Sequence, residues 1–187
     1  MGVLSNRALM AALDAGHLVI DPRPAPGPEE RDTPYDTISV DLCLAPEIFI
    51  PPSGMSLTFD LRTAGIVQTL RRVYERREIG ESWTLQPNEF ILGSTIERIE
   101  LPLSDRCLAA RVEGRSSLAR TGLLVHFTAP TIHPGFTGNI ALEMINLGKI
   151  PLTLRPGQRV CQLIVETVEG EPIRADSQFQ GQRQATG

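Results

Sequence analysis

A chain of 187 residues, 41% hydrophobic and 21% charged, fits one globular domain that buries roughly 70% of its unfolded surface. Aromatic residues are only 5%, so the core must rest on Leu, Ile and Val. A net charge of −4 and a sequence pI of about 5.4 exclude the broad basic face that long nucleic acids require, but not a local cationic pocket for a single nucleotide.

In chain order, Ser5 to Ala15 predicts a short helix: Ser5 caps it, Leu9, Met10 and Leu13 form an apolar stripe, and Gly16 suits the stop. Pro22 to Pro34 is a proline-rich, acidic loop. In TISVDLCL, Ile38, Val40, Leu42 and Leu44 alternate with Ser39, Asp41 and Cys43, the pattern of a strand with two unlike faces. Short strand-like runs then dominate: SLTFDL, WTLQ, FILGSTIERIEL, LAARVEG, LLVHFTA, NIALEMIN, LTL and RVCQLIVETVE. Gly65 to Arg77 breaks the pattern and reads as a helix or an insertion, with RRVYERR a solvated face. SSLARTG predicts one short helix between strands. Many short strands with little helix favour a β-barrel or jelly roll. There is no internal repeat, and residues 170–187 form a polar tail that is expected to be mobile until a ligand or partner chain orders it.

Three isolated cysteines, Cys43, Cys107 and Cys161, lack the spacing of a zinc or redox motif and read as reduced, mostly buried thiols. No run of about 18 apolar residues exists to span a membrane. The N-terminus has neither a basic leader nor a sustained apolar stretch, so the chain reads as cytoplasmic.

Two features carry chemistry. Gly114 follows a strand and precedes Arg115, Ser116, Ser117 and Arg120; the glycine permits a tight turn, and free backbone N–H groups with two hydroxyls and two guanidinium groups suit phosphate. Ser116 and Arg120, four apart, share a helix face. On spacing alone the same string is equally a serine-capped surface helix with solvated arginines. The second feature is Glu143. Strand alternation puts it beside Ala141 and Ile145, with Ile140, Leu142 and Met144 opposite. Burial disfavours its charged form, which suits a general acid/base, and the small Ala141 leaves room for a ligand. Without further argument, an exposed or arginine-paired glutamate is the likelier reading. His126 and His133 are the candidate imidazoles; two histidines without a cysteine pair make a weak zinc signal, and His126 reads as structural.

In this order, LSNRAL, SVDLCL, LQPNEFILGSTIERIELP, GRSSLAR, GLLVHFTAPTIHPGFTGNIALEMIN, RPGQRVCQLIVE and QFQGQ resemble the dCTP deaminase branch of the trimeric dUTPase superfamily over most of the chain. The resemblance implies a single dUTPase-like domain over residues 1–187, a mainly β distorted jelly roll (β-clip) with one N-terminal helix and one after the GRSS turn. It implies a homotrimer with active sites at subunit boundaries. Glu143 would be the general base for hydrolytic deamination of dCTP to dUTP and ammonia, with Arg115 and Ser116 near the base and water and the main chain at Ala129 helping to place them. Ser117 and Arg120 would hold the triphosphate, with Mg²⁺ on its oxygens and no zinc. Ala141 would line the pocket, His133 would lie in the substrate-binding turn, and Gln182 would close over the nucleotide from the tail.

The chain departs from the family pattern at His133, where an aspartate is usual, at Thr131, where many deaminases carry arginine, and at Gln178 and Phe179, where Lys-Tyr is usual; a further upstream tyrosine contact has no match. A histidine brings no fixed negative charge, which disfavours a combined deaminase–diphosphatase. Two alternatives stand beside the deaminase: a dUTP diphosphatase, and an inactive nucleotide-binding regulator of the same fold.

Overall fold

Ser5, extended at φ −69° and ψ 164°, accepts from Ala8 N at 3.3 Å and so caps α1 (Asn6–Asp14). The helix stops at Ala15, and Gly16 follows at φ 70° as expected. Leu9 is fully buried, with Met10 and Leu13 packed against the core. The structure, a computed structural model, describes every residue except 1, 55–57, 60–64, 105 and 174–180. Most of the expected strand SLTFDL, together with Gln178 and Phe179, therefore lies outside the described residues.

Strands dominate the rest. One sheet runs β4 (Glu75–Glu78), β3 (Glu47–Ile50), β6 (Phe90–Glu100), β10 (Thr137–Asn146) and β8 (Leu123–Leu124), with β1 (Val19–Asp21) added to β6. A second runs β2 (Val40–Cys43), β12 (Arg159–Thr167), β7 (Leu108–Gly114) and β9 (Thr131–Ile132). A two-stranded ribbon pairs β5 (Trp83–Leu85) with β11 (Leu152–Leu154). Every pairing is antiparallel, which needs only short connections. Both larger sheets contribute to one core, with Leu42, Ile91, Leu142, Met144 and Leu163 fully enclosed. The composition's reliance on Leu, Ile and Val is visible there.

The stretch from Gly65 holds a helix, α2 (Ile66–Val73), one of the two readings the sequence left open, followed by the exposed strand β4; it adds to the two helices that the resemblance implied, and α3 (Ser116–Ala119) is the one after the GRSS turn. The basic run is indeed a solvated face, where Arg76 pairs with Glu47 and Arg77 with Glu75 at 2.7 Å. Such exposed pairs contribute little. On β2, Val40, Asp41 and Leu42 are all buried, so alternation does not leave a wet face; β12 pairs with the strand in its sheet and β6 of the other sheet also contacts it.

All three cysteines are free, and two are buried. Burial, with Glu97 beside it, pushes the Cys43 thiol up to about 11, so it stays protonated near neutral pH.

Glu97 is buried on β6 and accepts from Cys43 N at 2.9 Å on Oε2. Burial raises its carboxyl above its ordinary value of 4.5, so the folded chain holds that proton to higher pH than the unfolded chain. This contribution to stability is present below the unfolded value and lost as pH rises through the folded one. Glu97→Gln keeps an oxygen for Cys43 N and carries no charge. Its melting temperature relative to wild type should rise as pH is raised above the carboxyl's ordinary value of 4.5. A difference that is flat or falls with pH would contradict this assignment.

Candidate active site

The carboxylate strand is aimed by a bulge. Register between β10 and β6 slips between Asn139 and Ala141, which moves Ala141 opposite Ser94 and Glu143 opposite Leu92. Local side chains take up the backbone groups the slip leaves over. Asn139 Nδ2 donates to the carbonyls of Thr95 and Ile96, each at 3.0 Å, and Ile140 N donates to Thr95 Oγ1 at 3.0 Å. Beyond the bulge the strand alternates as expected, with Ile140, Leu142 and Met144 in the core and Ala141, Glu143 and Ile145 half-buried on the outer face.

Glu143 has a neighbour that sequence reasoning took for a structural residue. His126 Nδ1 lies 3.2 Å from Glu143 Oε2, and the imidazole is 11% exposed against 35% for the glutamate. The contact is not among the hydrogen bonds, and Oε2 is a buried polar atom with no hydrogen-bond partner among the described residues; the other imidazole nitrogen, His126 Nε2, is likewise buried and unpartnered. An unsatisfied carboxylate oxygen held beside an imidazole is able to accept a proton from a bound molecule.

The serine–arginine turn lies at the end of β7. Arg115 is the N-cap of α3, at φ −76° and ψ 129°, and Ser116 and Ser117 open the helix. Ser116 O accepts from Arg120 N at 3.3 Å, which confirms that these two residues lie on one face. Ser116, Ser117 and Arg120 are exposed, and their side chains have no partner among the described residues. Arg115 is held differently. Its Nη2 lies 3.2 Å from Asp41 Oδ2, and its Nη1 donates to the Arg159 carbonyl at 3.3 Å. Turn and carboxylate are joined through residues 125–126: a Cβ on Gly114 would lie 3.6 Å from Val125 Cγ2, while the next residue, His126, reaches Glu143.

The remaining expected site residues sit elsewhere. Ala129 is exposed in the connection between β8 and β9, beside Pro130, whose carbonyl accepts from Val112 N at 3.0 Å. Thr131 and His133 are exposed at the edge of the second sheet, where Thr131 pairs with Arg111. No described contact joins them to Glu143 within one chain.

Residues 181–187 are docked on their own chain, whereas the tail was expected to await a ligand or partner. Gly181 N donates to Thr137 O at 2.7 Å, Asn139 N to Gln182 O at 2.9 Å, and Gln182 Nε2 to Asn139 O at 2.7 Å. Gly138 makes this possible, since a Cβ there would lie 2.7 Å from Gln182 O. Ala185 then packs with Phe49 and Leu92 against Ala141 and Phe90, filling space that Ala141 was expected to leave open. Arg71 on α2 donates to Gly187 O through Nε at 3.0 Å.

Known proteins resemble this arrangement. The family described as dCTP deaminase-like matches residues 3–168. A protein of Rhodospirillum rubrum named dCTP deaminase is 38% identical over 171 residues, covering 88% of this chain and 82% of its own length. A protein of Dictyoglomus thermophilum named "dCTP deaminase, dUMP-forming" is 40% identical over 161 residues, covering 86% and 78%. The crystal structure of 2'-deoxycytidine 5'-triphosphate deaminase from Agrobacterium tumefaciens superposes with a TM-score of 0.64 at 19% identity. That match covers 88% of this chain and 48% of the other, and supports the mainly β, dUTPase-like fold.

Proposed function

Because the chain belongs to the dCTP deaminase-like family, we propose that it is an enzyme that hydrolyses the C4 amino group of dCTP, giving dUTP and ammonia. The observation that carries the proposal is Glu143 Oε2, buried 3.2 Å from His126 Nδ1 and without a hydrogen-bond partner among the described residues. In this reading Glu143 takes a proton from water as the water oxygen bonds to C4. The two water protons end one on ring nitrogen N3 and one, delivered by Glu143, on the amino nitrogen; the C4–N bond then breaks, C4 becomes a carbonyl and ammonia leaves. His126 lies against the carboxylate on its Oε2 side. Arg115 and Ser116 orient the base and the water, with help from the main chain at Ala129.

Ser117 and Arg120 bind the triphosphate; their exposed, unpartnered side chains suit a ligand that arrives at a subunit boundary. That placement is why we also propose a homotrimer. Gln182, already against β10, closes over the nucleotide, and Ala185 must leave Ala141 for the base to reach it. Mg²⁺, held through the triphosphate oxygens when substrate is bound, would neutralise their charge beside Ser117 and Arg120.

A second reading has support of its own. The Dictyoglomus thermophilum relative is named dUMP-forming, which suggests loss of pyrophosphate after deamination. His133 opposes it here, for the reason given by its lack of fixed charge. Incubation with each deoxynucleoside triphosphate should yield ammonia and dUTP from dCTP alone. Pyrophosphate and dUMP would establish the second reading, and saturable binding without turnover would reduce the chain to a regulator.

A further inference from the structure

The proposed chemistry leaves one buried ionic group unused. Asp41, on β2, has a side chain only 8% exposed, yet it is not closed on itself. Arg115 Nη2 lies 3.2 Å from its Oδ2, and Gln162 Nε2 donates to its Oδ1 at 3.3 Å from the facing position on β12. The second terminal nitrogen of Arg115 is tied to Arg159 O, and the Arg159 guanidinium is itself anchored to the carbonyls of Thr33 at 3.2 Å and Asp32 at 2.6 Å. A guanidinium has five N–H donors in a rigid plane. With both terminal nitrogens held, its plane is set and the remaining donors are left for a ligand.

We propose that Asp41 is a positioning residue for Arg115, holding the guanidinium in the one orientation from which it can act on the bound base and water. The inference rests on the reading of Arg115 as a group of the deaminase site. Burial pushes the Asp41 carboxyl above its ordinary value, and Arg115, ahead of Gln162, opposes that rise. An acid placed there only to fill space would be better replaced by an apolar side chain, since a buried ion pair is weak as a source of stability. Its position on β2, two strands from β7 in the same sheet, ties the turn after β7 to a strand from the N-terminal part of the chain.

The test is a double-mutant cycle in the full chain with dCTP. Asp41→Asn should lower kcat roughly 10–100-fold, the scale set by a misplacement of about 1 Å, while KM stays within about threefold. Combined with Arg115→Lys, it should cost no more than Arg115→Lys alone. Unchanged kcat, or losses that multiply, would overturn the proposal. If Asp41→Asn fails to fold, Gln162→Met, which frees Oδ1 and leaves the charge, should still lower kcat severalfold in the Arg115 background only; equal losses in both backgrounds overturn it. Absence of ammonia from the wild type would remove the deaminase reading by itself. Asp41 would then be judged from the crystal structure of Asp41→Asn, where an Arg115 guanidinium that has not moved overturns the link.

Discussion

Glu143→Gln is expected to cut ammonia release from dCTP by about 10³-fold or more while dCTP still binds, because a positioned general base contributes roughly 10²–10⁴. The amide matches the carboxylate in shape and can still lie against His126, so the strand, the bulge at Asn139 and the packing of Ile140, Leu142 and Met144 are untouched. It cannot accept the proton of the attacking water. Rate and affinity should therefore separate: kcat falls, and the dissociation constant measured by calorimetry stays within a few-fold. Near wild-type turnover by the variant would remove Glu143 from the mechanism. Lost binding together with lost turnover would make it a ligand contact instead.

Why Glu143 was readable from sequence and His126 was dismissed has a physical cause. Glu143 stands in a ten-residue strand with strict alternation, so its face follows from its own neighbours. His126 follows a strand of only two residues, β8, and its partner lies on another strand. The signal was nevertheless present in the pairing. Leu124 faces Ile145, and continuing that antiparallel register by two residues sets His126 opposite Glu143. Asp41 was hidden differently: alternation separated it from Val40 and Leu42, but does not show that Gln162 and Arg115, from elsewhere in the same sheet, enclose it. The GRSS turn was legible as a short helix with Ser116 and Arg120 on one side, since that is set by residues four apart. The docking of Ala185 rests on contacts from 44 to 136 residues away in sequence, Ala141 the nearest and Phe49 the farthest, which periodicity does not encode.

Gly122→Ala is expected to destabilise the fold by about 2–5 kcal/mol, combining roughly 1–3 for a side chain at positive φ with a similar overpacking cost. Gly122 sits at φ 95° between α3 and β8, and its carbonyl accepts from Leu147 N at 2.8 Å. A Cβ there would meet the backbone of Gly148, with Cα 2.6 Å away, and neither chain has a flexible group that could yield. Gly148 is held in turn: its N donates at 2.9 Å to Asn146 Oδ1, and Asn146 Nδ2 donates to Leu85 O at 3.2 Å and Ile150 O at 2.9 Å from a fully buried position. Relief of the clash must therefore pull either this knot or the turn that carries Ser116, Ser117 and Arg120. For a chain of this size the loss amounts to a melting temperature lower by roughly 4–20 °C. Gly157→Ala separates clash from strain, because Gly157 has φ 74° but open space around its Cβ position, and should cost only about 1–2 kcal/mol. Equal melting temperatures for the two variants would show that the backbone contact between Gly122 and Gly148 bears none of the load. A larger loss at Gly122, accompanied by weaker triphosphate binding in the folded fraction, is the outcome this contact requires.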